Sequence, residues 1–165
     1  MLERIREETK IEASTRPGTA KNGRRPKNAF GYIAQKQVGF LLRTANQRHT
    51  AIFTSRMVGS LTQTQFAALV ALYFEKPLTH NELGGLICLD ASTVKGVLDR
   101  LKHRGLIKAW TTLGDRRSRT VTITAKGRQL IEKAIPRAQE ITRETLKPLS
   151  PREQALFISF LERLS

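Results

Sequence analysis

The residues from Ser92 to His103 are spaced so that one side of a helix offers hydrogen-bonding and cationic groups. Ser92, Thr93, Lys95, Gly96, Asp99, Arg100 and His103 fall on that side, while Val94, Val97, Leu98 and Leu101 fall on the other. The second set follows the i, i+3, i+4, i+7 spacing of a buried helical face. Lys95 and Arg100 can pair with guanine O6/N7 or with phosphate, and the Ser92 and Thr93 hydroxyls can donate to base edges or backbone. Gly96 leaves room for close approach. Downstream, the β-prone runs KAWTT and RTVTIT flank LGDRRS, in which Gly114 and Asp115 suit a turn and Arg116 and Arg117 form its tip. Arg119 opens the second run, and a narrow minor groove attracts arginine. A helix suited to a major groove, followed by an arginine-tipped hairpin, predicts a winged helix-turn-helix. The expected fold is mainly α with a small β-hairpin wing (α+β).

The rest of the chain must hold that helix in place. Thr62–Gln65 is a capping box ahead of FAALVALYF, a run apolar on most sides and so expected at the centre of the core. Lys76-Pro77 should end that helix. Thr79–Glu82 is a second capping box, opening THNELGGLI. There Gly84-Gly85 costs about 1 kcal/mol per glycine against alanine, a cost that close helix packing would offset. Asp90 is a fair N-cap for the helix that follows. Upstream, one long amphipathic helix is expected from Ala29 to about Met57, with Ala34, Val38, Leu41, Leu42, Ala45, Ile52 and Phe53 on its stripe. After the hairpin, Thr124 can cap another long helix that carries Leu130, Ile131, Ala134, Ile135, Ala138 and Ile141. Ser150-Pro151-Arg152-Glu153 opens a last helix with Leu156, Phe157, Phe160, Leu161 and Leu164. A terminal apolar stripe of that kind suits docking on a partner subunit.

Composition narrows the partner. The 165 residues hold 29 Lys and Arg against 14 Asp and Glu, a net charge of +15, which favours a polyanion and nucleic acid over a membrane. No apolar run is long enough to span a bilayer. The N-terminus has no signal-peptide core, and the single cysteine fits a reducing cytoplasm. Cys88, between Leu86, Ile87 and Leu89, is expected to be a packed core residue; the alternative is an oxidant-sensing thiol. Residues 14–28 carry five cations and no acid. They form either a basic arm along DNA or a solvated tail. His49, His80 and His103 sit on different helices without metal-ligand spacing, and no nucleophile motif or phosphate loop is present, so neither an enzyme nor a cofactor is expected. His49 falls inside an apolar stripe. It is either a satisfied core residue or, with Arg43, a contact for a small organic anion.

DRLKHRGL at Asp99–Leu106, the D-x-R of Asp115–Arg117 and T-x-x-G at Thr124–Gly127, in this order, resemble the MarR family of bacterial transcription regulators, over about residues 30 to 164. The resemblance implies a homodimer with a basic N-terminal extension at 1–28 and a family domain at 29–165. Segments 29–58 and 125–165 would dimerise, and 59–124 would form the winged helix-turn-helix. It implies Ser92–His103 in the major groove of a palindromic operator, and Arg117 in the minor groove, braced by Asp115. It further implies a repressor released by a small aromatic or heteroaromatic acid. The stretch GFLLRTANQRHTAIF is similar to branches governing aromatic-compound catabolism. The acid is expected between the first helix, the second helix and the start of the fifth, with Arg43 and His49 as polar contacts and Phe40, Phe53 and Phe66 as walls. A sequence-indifferent architectural DNA- or RNA-binding protein remains the alternative, since charge alone would serve it.

Overall fold

Local sequence sets most element starts. The structure, a computed structural model, describes residues 31–75, 77–111 and 119–165. The described residues divide into 31–35 and the compact unit Lys36–Ser165. Within that unit the helices are α1 (Val38–Arg56), α2 (Gln63–Phe74), α3 (His80–Leu86), α4 (Ala91–His103), α5 (Ala125–Leu146) and α6 (Pro151–Leu164). Three strands, β1 (Leu78–Thr79), β2 (Ile107–Thr111) and β3 (Arg119–Ile123), form an antiparallel sheet in the order β1-β3-β2. The architecture is mainly helical with a small sheet, as expected. None of the helices among the described residues is long and apolar enough to cross a membrane.

Capping boxes start α2 at Thr62/Gln65, α3 at Thr79/Glu82 and α6 at Ser150/Glu153, so each N-terminus satisfies two backbone donors reciprocally. α1 departs from expectation. In place of a helix running on from Ala29, Ala34–Lys36 is a 3-10 turn, Gln37 is extended, and α1 starts at Val38 without a side-chain cap. Gln37 interrupts the apolar stripe's helical path. β1 was not anticipated, because two residues are too short to show a period. It pairs Leu78 with Val121 and so adds an edge to the hairpin. α5 passes Pro136 without a break.

The core forms where α2, α3, α4 and α5 meet the sheet. Leu69, Leu83, Val94, Val97, Leu101, Leu106, Val121 and Ile131 are essentially inaccessible. Every apolar position of α4 named from its spacing is buried. Gly84 explains one half of the glycine pair: a Cβ there would sit 3.1 Å from the Leu89 carbonyl oxygen and 3.2 Å from Val94 Cγ2. Gly85 has open space, so packing gives no reason for it. The T-x-x-G motif has a clear physical basis. Thr124 caps α5 by accepting from Gly127 N, and its hydroxyl donates to the Gly105 carbonyl at 2.8 Å. A Cβ at Gly127 would overlap the Leu106 carbonyl oxygen and Ile123 Cγ1.

Gly127→Ala should therefore destabilise the fold by about 1–3 kcal/mol, the usual cost of overpacking. At roughly 2–4 °C per kcal/mol for a chain of this size, the loss is measurable by thermal melting, and an unchanged melting temperature would contradict it.

Candidate nucleic-acid interface and effector cavities

Asp90 organises the outer end of α4. Its Oδ1 accepts from Ser92 N and Thr93 N, both at 3.0 Å, and from Ser92 Oγ at 2.5 Å; its Oδ2 accepts from Thr93 Oγ1 at 2.6 Å. The Ser92 side-chain hydrogen bond, followed by those from Thr93, holds the Asp90 carboxyl well below the ordinary carboxylate range. This corrects the expectation that Ser92 and Thr93 donate outward. Their hydroxyl protons point at Asp90, and only lone pairs remain for an approaching base or phosphate. The reason is steric economy at a helix start, where short side chains reach the cap before anything outside.

Further along α4, Lys95, Arg100 and His103 are exposed on the side opposite the buried apolar face. Gly96 is half-buried, and a Cβ there would only touch the Arg100 guanidinium nitrogens at 3.8 Å. The protomer itself therefore does not require a glycine, which leaves its value to whatever approaches. Arg100 and His103 also line an open notch with Asp99, Arg104, Ser60 and Thr62, about 880 Å³ in volume. Arg104 was not anticipated as a site residue. As the C-cap of α4 it donates through Nη1 to Gln65 Oε1 at 3.3 Å and through Nη2 to the Gly59 carbonyl. Nothing in its spacing marks it, because the partners lie on another helix and in a turn.

The hairpin pairs from Ile107↔Ile123 up to Thr111↔Arg119, beside α4. The tip residues Asp115, Arg116 and Arg117 lie outside the described residues; Arg119 opens β3.

The proposed effector residues are dispersed. His49 is half-buried, its Nδ1 2.9 Å from Thr145 Oγ1 and its ring 6.3 Å from that of Phe53. Phe53 in turn meets Phe66 edge-on at 6.0 Å. These three rings make a file from α1 to α2, yet they border different spaces. Phe53 lines a cavity of about 430 Å³ between α1 and α2, with Thr50, Thr54, Ser60 and Thr62. His49 lines one of about 340 Å³ between α1, α5 and α6, with Thr145 and Phe157. Phe66 lines a groove of about 500 Å³ between α2 and α3. Arg43 lies over the Phe40 ring at 4.9 Å and donates to Gln47 Oε1 at 3.4 Å. At 100° per residue, Arg43 and His49 stand roughly 120° apart around α1. Arg43 shares instead the α1 side of Thr50 and Thr54.

Cys88 is another correction. It is exposed, with φ +52°, in the turn that joins α3 to α4. Its apolar sequence neighbours do not bury it: the left-handed turn carries its side chain outward, and Leu86 at the end of α3 is exposed too. Among the described residues no three His, Cys, Asp or Glu side chains gather as a metal site would require.

Comparison with known proteins places this geometry. The MarR family model matches residues 61–118, which include α2, α3, α4 and β2. The chain is 36% identical over 134 residues to the transcriptional repressor NicR of Pseudomonas putida, covering 81% of this chain and 85% of that one. A probable transcriptional regulator from Pseudomonas aeruginosa has a crystal structure that superposes with TM-score 0.77 at 42% identity, covering 81% of this chain and all of the other. BpsR of Bordetella bronchiseptica, whose DNA binding is regulated by 6-hydroxynicotinic acid, superposes with TM-score 0.75 at 37% identity, over 81% and 96% of the two chains. At that identity and coverage, the chain belongs to the MarR family of transcriptional regulators.

Proposed function

We propose that this regulator is a homodimeric repressor that recognises a palindromic operator and releases it when a small aromatic or heteroaromatic acid binds. The observation that carries the reading is α4 itself. Its apolar face is wholly buried, its opposite face presents Lys95, Arg100 and His103, and a hairpin stands beside it. Bulk charge would serve an architectural protein equally, but such a protein needs no single helix presented in this way.

Dimerisation has support in the apolar surface that one protomer leaves bare. Val38 is 68% exposed on α1, and Phe160 and Leu164 are 51% and 75% exposed on α6, a helix with no buried residue. Large apolar side chains concentrated on two helices mark an association surface. A two-fold dimer would set its two α4 helices about one helical turn apart, matching half-sites roughly 10 bp centre to centre.

For the effector, the similarity to BpsR supports an aromatic acid. The α1–α2 cavity falls within the usual volume range of small-molecule sites, and its α1 side continues to Arg43. Ser60 and Thr62 wall both this cavity and the notch beneath Arg100 and His103. A bound molecule that displaces their segment would therefore disturb the support of α4.

Arg117→Ala should weaken binding to a specific duplex by about 1–3 kcal/mol, as expected for loss of a specific contact. An unchanged gel-shift isotherm would refute the wing assignment, and equal affinity for specific and scrambled duplexes at physiological salt would refute the repressor reading. With 6-hydroxynicotinic acid as probe, Arg43→Ala should reduce acid-driven release of DNA, whereas loss of release in His49→Ala alone would move the acid to the separate α1–α5–α6 cavity. If both variants release DNA as the wild type does, the effector placement is wrong.

A further inference from the structure

We infer that Arg104 is a positioning residue for DNA recognition, clasping the end of α4 to the turn between α1 and α2. The inference rests on the operator-binding reading above. Arg104 moves with α4, because its backbone N–H donates to the Arg100 carbonyl at 3.2 Å. Its guanidinium fork spans two acceptors on separate segments, the Gly59 carbonyl and Gln65 Oε1. Its own carbonyl accepts from Lys126 Nζ at 3.0 Å, which adds the start of α5. One side chain and one carbonyl thus join α4, α2, α5 and the α1–α2 turn.

Both acceptors are held in fixed places. Gln65 is 5% exposed and is the buried polar residue of the core among the described residues. Its Oε1 also accepts from Thr62 N at 3.2 Å and so closes the α2 capping box. Gly59 has φ +64° and Ser60 φ +48°, two successive left-handed residues that turn the chain from α1 into α2. On the far side of this turn, a Cβ at Gly59 would lie 2.6 Å from Leu130 Cδ1 of α5. The turn is therefore backed by α5 and held in front by Arg104. A lysine could reach one acceptor but not bridge both, since only the guanidinium offers a planar fork. Removing Arg104 leaves no buried polar group unpaired, because Gln65 keeps Thr62 and the Gly59 segment is open to water. What would be lost is the angle at which α4 meets the rest of the protomer. That angle decides whether two α4 helices in a dimer fit successive major grooves.

The test compares wild type, Arg104→Ala, Arg104→Lys, Gln65→Met and the Arg104→Ala/Gln65→Met double variant. Binding is measured on a duplex enriched by the wild type from a random-sequence library and on its scrambled counterpart, over a range of salt. Both Arg104 variants should lose roughly tenfold on the enriched duplex, the scale of a hydrogen bond from a charged donor, and nothing on the scrambled one. The salt slope should stay unchanged and the double variant should bind no worse than the Arg104 variant, the signature of one shared interaction. Equal losses on both duplexes with a salt slope lower by about one would show a direct phosphate contact and overturn the proposal. So would additive losses, or wild-type affinity in the Arg104 variants. If Gln65→Met does not fold, the Arg104→Lys comparison decides alone. If the wild type enriches no sequence, the operator reading itself fails, an outcome distinct from failure of the clasp.

Discussion

The burial of Val94, Val97, Leu98 and Leu101 is the constraint on which the rest of this molecule depends. Four side chains on one side of α4 are removed from water against α2, α3 and β2. Burying each contributes roughly 1.5–3 kcal/mol relative to exposure. The helix cannot rotate without exposing them, so the direction of Lys95, Arg100 and His103 is fixed by residues that never face a partner. What α4 presents outward is in this sense a by-product of the core. The surrounding elements serve the same end: Asp90 starts α4, Arg104 anchors its end, and Gly127 lets the start of α5 lie against Leu106 and Ile123.

Charge completes the picture. Twenty-nine cationic residues face fourteen acidic ones. Among the described residues the ion pairs are Arg56–Glu144 and Arg137–Glu140, both on the helices away from α4. The cations of α4 have no such partner among the described residues, so they remain available to a polyanion. Arg48 illustrates the contrasting use of a cation. It donates to the Thr145 carbonyl at 2.6 Å and the Glu144 carbonyl at 3.2 Å, satisfying the last turn of α5 and locking α1 to it.

Much of this was legible in the sequence because the relevant physics is local. Capping boxes, the spacing of the α4 apolar face and the T-x-x-G start of α5 all depend on residues within a few positions of each other. What was not legible depends on distant partners or on conformation. Ser92 and Thr93 look like outward donors until Asp90 is seen to take both protons. Cys88 has apolar neighbours in sequence, but its backbone turns left-handed and carries the thiol to the surface. Arg104 reads as one more cation near a helix end, since Gln65 and Gly59 stand some forty positions away. Arg43 and His49 seemed paired by proximity, and helical rotation separates them. α1 starts later than its apolar stripe suggests, because the stripe continues through a backbone break at Gln37 that composition does not show.

The central claim is that α4 reads sequence, and selection from a random duplex library tests it most directly when wild type and Arg100→Ala are run in parallel. The account predicts that the wild type enriches an inverted repeat with half-sites roughly 10 bp apart. It also predicts that Arg100→Ala relaxes base preference at a matching position in each half. Enrichment of no common sequence by the wild type, or an identical consensus from both proteins, would contradict it.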